Sequence, residues 1–133
     1  MARRAEDPGA GRLCPSAPAM VGATLVAISI DRGTLGYVTP PVTVDRQFLA
    51  AAGEVPERNF RFAAPCLKGG CHNWGDRGCE LIHRVLDTHA DAGAHGPLPV
   101  CGIRADCRWF AQAGAAACRV CPIIRNPATP KAA

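Results

Sequence analysis

Cysteine placement constrains this chain more than any other feature. Of its eight cysteines, all but Cys14 lie between residues 66 and 121. Cys66, Cys71 and Cys79 read C-x4-C-x7-C, and Cys101, Cys107, Cys118 and Cys121 read C-x5-C-x10-C-x2-C. A small chain this rich in thiols is stapled by disulfides or by metal, which do the work of a core too small to hold the fold alone. The core available here is small: hydrophobic residues are 48% of the chain, but much of that is alanine and aromatics are only 5%. Few large side chains remain to bury, and 133 residues leave room for one domain, or a small domain with an extension.

The compartment separates disulfides from metal. Arg3, Arg4 and Arg12 precede an apolar stretch over residues 20–30, but Glu6 and Asp7 interrupt the basic region and no Ala-x-Ala site follows. The stretch reads as a buried strand, and the chain as cytoplasmic, where thiols stay reduced. Disulfides also leave one thiol over in the group after Cys14. No apolar run approaches the roughly 18 residues that span a bilayer, so no membrane is expected.

Residues 1–19 are rich in Ala, Gly, Pro and Arg without periodicity and read as a disordered leader; if translation starts at Met20, Cys14 is incidental. Residues 20–64 are expected to form a β-hairpin and a short helix. Two β-favouring runs, 23–30 and 35–39, flank Asp31-Arg32-Gly33-Thr34, and Pro40-Pro41 ends their pairing. Thr43 or Asp45 caps the helix and Gly53 stops it. Residues 54–64 look like a linker. Within the cysteine-rich region, 65–125, Asp76 caps a helix over 77–89 with Leu81, Ile82, Val85 and Leu86 at helical spacing. Residues 91–99 read as a loop, and a second helix covers 104–113 with Trp109 and Phe110 as core. The tail, 126–133, is expected to fray. The fold class is therefore small α+β, with an N-terminal hairpin and short helix followed by a helical, metal-stapled half.

Zinc requires four tetrahedral ligands per site. Cys101, Cys107, Cys118 and Cys121 supply one set. Cys66, Cys71 and Cys79 need a fourth, and His83, one helical turn after Cys79, is on the same face; His72 competes with it. That three-cysteine, one-histidine set loosely resembles CCCH zinc fingers that bind single-stranded RNA, although the loop lengths differ. An iron–sulfur cluster is the preferred reading. Cys121-Pro122 resembles the end of a bacterial ferredoxin motif, and the chain has a single C-x2-C where ribbon-type zinc folds show two. The remaining ferredoxin spacing is missing, as are the C-x2-C-x5-C and Trp-Gly-Gly of WhiB-like regulators.

These residues predict a redox protein that is not an enzyme by itself, carrying an iron–sulfur cluster, most simply 4Fe-4S, and working beside a protein partner. Arg104, Arg108 and Arg119 would offset the cluster's charge and Trp74 would shield it. The alternative is a zinc-stabilised module that binds nucleic acid or protein through the same basic helix, with Trp109 or Phe110 stacking a base if exposed. His89 and His95 receive no role. No Ser-His-Asp, H-E-x-x-H or phosphate-loop pattern is present.

Overall fold

The computed structural model describes residues 12–31 and 34–124. A four-stranded antiparallel sheet is followed by a run of short helices, a small mixed α+β arrangement. Strands β2 (Thr24–Asp31) and β3 (Thr34–Thr43) form the expected hairpin with Asp31 opposite Thr34; residues 32–33 lie outside the described residues. Pairing does not stop at Pro40-Pro41. Beyond a register shift, Leu25 still pairs with Val42 and Thr24 with Thr43. The prolines are tolerated because β3 is an outer strand and a bulge absorbs the irregularity. Helix α1 (Arg46–Ala52) follows as expected. The Asp45 carboxylate accepts the Phe48 N–H at 2.8 Å, and Gly53 ends the helix.

The sheet contains two strands that sequence reading assigned elsewhere. Residues of the supposed leader form β1 (Leu13–Ala17), and residues of the supposed linker form β4 (Phe60–Pro65). The sheet order is β1-β4-β2-β3. Pro15 and Pro18 hide β1, which as an edge strand needs hydrogen bonds on one side only and receives them from β4, far along the chain. In β4 the alternation is present but masked by a charge. Phe60 and Phe62 point to one face, Arg61 and Ala63 to the other. The remainder of the leader, residues 1–11, and the tail, 126–133, lie outside the described residues.

Both faces of the sheet are covered. On one, Leu25, Val44 and Phe62 pack with Phe48 of α1, whose ring centroid lies 5.1 Å from that of Phe60. On the other, Val26, Ala27 and Ala63 pack with Ile82, Trp109 and Val120 from the cysteine-rich half. The hairpin is thus a platform on which that half is built.

The cysteine-rich half departs from the sequence reading at its helix boundaries. Strands β5 (Trp74–Gly75) and β6 (Gly78–Cys79) make a small hairpin, so helix α2 (Glu80–Thr88) starts after Cys79 and not after Asp76. Gly78, at φ 89°, turns the hairpin in a conformation a side chain would resist. Helix α3 (Ala90–Ala94) occupies part of the expected loop. The helix expected over 104–113 breaks at the extended residue Cys107, leaving a 3-10 turn (Arg104–Asp106) and α4 (Arg108–Ala113); Gly114 then leads into α5 (Ala115–Val120). Among the described residues, no helix is long and apolar enough to cross a membrane.

Candidate metal centres

The first group of thiols is assembled from three places. Pairing of β1 with β4 sets Cys14 opposite Ala64, and the Cys66 N–H donates to the Arg12 carbonyl at 2.9 Å, so Cys14 and Cys66 emerge side by side. In the following turns, the Lys68 N–H donates to Cys66 Sγ and the Asn73 N–H to Cys71 Sγ, each at 3.4 Å. The β5–β6 hairpin delivers Cys79, paired with Trp74. Gln112 of α4 grips its backbone: the Cys79 N–H donates to Oε1 at 2.9 Å and Nε2 donates to the Cys79 carbonyl at 3.2 Å. Cys14, Cys66, Cys71 and Cys79 line one cavity of about 130 Å³. Trp74 walls it too, with the Arg108 guanidinium 5.1 Å from the Trp74 ring centroid.

Cys101, Cys107, Cys118 and Cys121 line a second, smaller space of about 20 Å³. Here the sulfurs already receive hydrogen bonds from side chains. Tyr37 donates its hydroxyl to Cys121 Sγ at 3.4 Å, Arg61 Nη1 donates to the same sulfur at 3.0 Å, and Arg104 Nε donates to Cys118 Sγ at 3.2 Å. Arg61 is 6% exposed. Its other hydrogen bonds go to the carbonyls of Cys121 and Ile124, and it rests 6.0 Å from the Trp109 ring centroid. Among the described residues no carboxylate pairs with it, so this buried cation faces thiols and carbonyl dipoles.

All eight cysteines are free thiols. Burial pushes the Cys14 and Cys107 thiols up to about 12 from 9.0. Burial, and then the Cys121 thiol, push the Tyr37 hydroxyl upward as well, keeping it a donor. A raised thiol holds its proton in the folded chain where the unfolded chain has lost it. Its stabilising contribution is complete below pH 9.0 and disappears as pH rises to about 12. Metal-free protein is therefore expected to show a falling urea midpoint across that window. Protein whose sulfurs are bound to metal has already given up those protons and should not show the decline. A midpoint flat across the window in metal-free protein would mean that these thiols are not shielded from water.

The sequence-derived candidates are partly regrouped by the fold. Cys66, Cys71 and Cys79 come together, but the fourth thiol beside them is Cys14. His83 instead places Nε2 3.3 Å from Gln112 Nε2 and does not line the cavity, and His72 is exposed. Cys101, Cys107, Cys118 and Cys121 surround one space together. Arg104 sits on Cys118, whereas Arg108 is buried beside the first group and is not on an outward basic face. Arg119 turns away from the thiols and donates to the carbonyls of Gly93 and Gly96. Trp109 is core, 1% exposed, and has no surface on which a base could stack. Spacing alone singles out neither Cys14, which lines the first cavity, nor Arg61, which donates to Cys121 Sγ; the available signals are a total of eight cysteines, which divides into two fours, and the alternation Phe60-Arg61-Phe62-Ala63.

Among the described residues, no three His, Cys, Asp or Glu side chains close tightly enough to hold a single metal ion. The thiols are among the residues lining two spaces instead. Their placement depends on backbone detail. A Cβ on Gly78 would lie 2.4 Å from Gln112 Oε1, the atom that accepts the Cys79 N–H. Gly78→Ala is expected to cost about 1–2 kcal/mol from its positive φ alone, read as a lowered urea midpoint, and to loosen Cys79. An unchanged midpoint would show that the hairpin adapts. No protein-family model, curated protein or solved structure matches this chain.

Proposed function

We propose that this chain is an iron–sulfur protein that carries electrons or senses redox state beside a partner enzyme. Cys14, Cys66, Cys71 and Cys79 would hold the cluster, while Cys101, Cys107, Cys118 and Cys121 form a second quartet around a much smaller space. The observation that carries the reading is that four thiols line one cavity of about 130 Å³, roughly ten times the space one water needs. Four sulfurs on one zinc stand about 2.3 Å from the ion and about 3.8 Å from each other, leaving no such space. A cluster of several irons and sulfides needs that room.

A cluster held there supplies one-electron chemistry; the chain decides its potential and access. Backbone N–H groups of Lys68 and Asn73 donate to two of the first centre's sulfurs, and the Arg108–Trp74 stack brings positive charge and an apolar wall. Donors and cations of this kind stabilise the more reduced, more negative state and raise the potential. Around the second quartet, Tyr37, Arg61 and Arg104 donate to sulfur.

The second space, about 20 Å³, is too small for a cluster, and the second reading for that quartet is that its thiols close further on a single zinc ion as a structural staple. Metal and acid-labile sulfide analysis on protein purified without oxygen separates the two. Brown protein with iron and matching sulfide is expected; colourless protein holding only stoichiometric zinc would overturn the iron–sulfur reading.

A further inference from the structure

We infer that the two quartets load in order: the second closes on zinc, and its closure fixes the segment that positions two thiols of the first. The inference rests on the iron–sulfur reading of the first quartet and the zinc reading of the second. Arg61 points to the charge the second quartet is built for. It is 6% exposed, donates to Cys121 Sγ at 3.0 Å, and has no carboxylate partner among the described residues. A buried cation in such a place calls for an anion. Arg104 donates in the same way to Cys118 Sγ at 3.2 Å. Four thiolates on one divalent zinc carry two net negative charges, and two guanidiniums offset them.

The segment from Arg104 to Gln112 joins this quartet to the other. Cys107, one of the thiols at the second space, directly precedes α4. Arg108 and Trp109 of that helix line the first cavity. Gln112, near its end, holds Cys79 at both backbone groups, the N–H at 2.9 Å and the carbonyl at 3.2 Å. Strand β1 is tied to the same segment. Leu13 bridges to Cys107, and Arg12 Nη1 donates to the Ala105 carbonyl at 3.0 Å. Cys14 follows directly. Cys66 and Cys71 differ, because each accepts an N–H from its own turn, two residues on.

Two of the first quartet's thiols, Cys14 and Cys79, are therefore placed by a segment that carries a ligand of the second. That segment is a three-residue 3-10 turn and a six-residue helix, each too short to be stable alone. Closing Cys107 and its three partner thiols on zinc turns metal-binding free energy into order of the attached residues. The first quartet then has less left to order, so its affinity for its own metal rises.

The test is reconstitution of the full chain after its metal has been stripped under reducing conditions. Iron(II) and sulfide are added without oxygen, to one sample directly and to another after an equivalent of zinc. Zinc-first protein is expected to retain about tenfold more iron against a chelator, with its zinc still bound. Gln112→Ala should keep the zinc and lose most of that advantage, because α4 no longer holds Cys79. Equal iron retention with and without zinc would overturn the ordered loading and leave the iron–sulfur reading standing. So would zinc that washes off, or zinc that lowers iron uptake by competing for the same thiols. An undiminished advantage in Gln112→Ala would overturn the route through α4. Protein that takes up zinc and never iron would overturn the iron–sulfur reading and the ordered loading together.

Discussion

If the first quartet holds the proposed cluster, Cys14→Ser is expected to remove most of the iron bound there, because a metal site loses most of its affinity with one of its few ligands. Serine nearly matches cysteine in size, so β1 should stay paired to β4 and the second quartet should stay loaded. The companion variant is His83→Ala. His83 is engaged with Gln112 and does not line the cavity, so its loss should leave metal content unchanged. Metal per chain and visible absorbance measure both. If His83→Ala lost the metal and Cys14→Ser kept it, the quartet built on Cys14 would be wrong and the three-cysteine, one-histidine set would be restored.

Arg61→Leu is expected to act far more strongly on metal-loaded protein than on metal-free protein. In the metal-free chain, a guanidinium 6% exposed with no carboxylate partner among the described residues is itself costly to bury. An apolar replacement recovers much of what the lost hydrogen bonds take away. In the loaded chain the same cation faces an anionic centre through Cys121 Sγ, 3.0 Å away. Removing one partner of a buried charge pair costs about 3 kcal/mol or more, equivalent to about a hundredfold loss in metal retention. Chelator challenge and urea unfolding, each with and without metal, separate the two contributions. Equal destabilisation of both forms would make Arg61 a packing residue only.

Local signals were legible wherever the structure is local. The β2–β3 hairpin, the Asp45 cap and Gly53 stop of α1, and the core role of Trp109 all follow from neighbouring residues and periodicity. Boundaries failed where one residue had two competing uses. Asp76 is a good cap, yet Gly78 turns the chain first and the hairpin holding Cys79 takes the place of the first helical turn. Cys107 sits inside a helical pattern but is extended and pairs with Leu13, which breaks that helix in two. Pro40 and Pro41 mark the end of a strand only if the strand is interior, and β3 is at the edge.

What the sequence determined by itself was the composition of the problem: many thiols, little core, a hairpin, and a group of four cysteines from 101 to 121 that fold together. Only the tertiary structure decided which residues share the other space. Cys14 reaches Cys66 through the pairing of two strands whose signals are hidden, by prolines in β1 and by Arg61 in β4, each stabilised by partners distant in sequence. Arg61 reaches Cys121 in the same way, from an interior strand whose charged residue looks like a surface residue until helices pack over it. Spacing along the chain encodes contacts a few residues apart. Cys14 comes beside Cys66, Cys71 and Cys79 through contacts that only the packed sheet brings within reach.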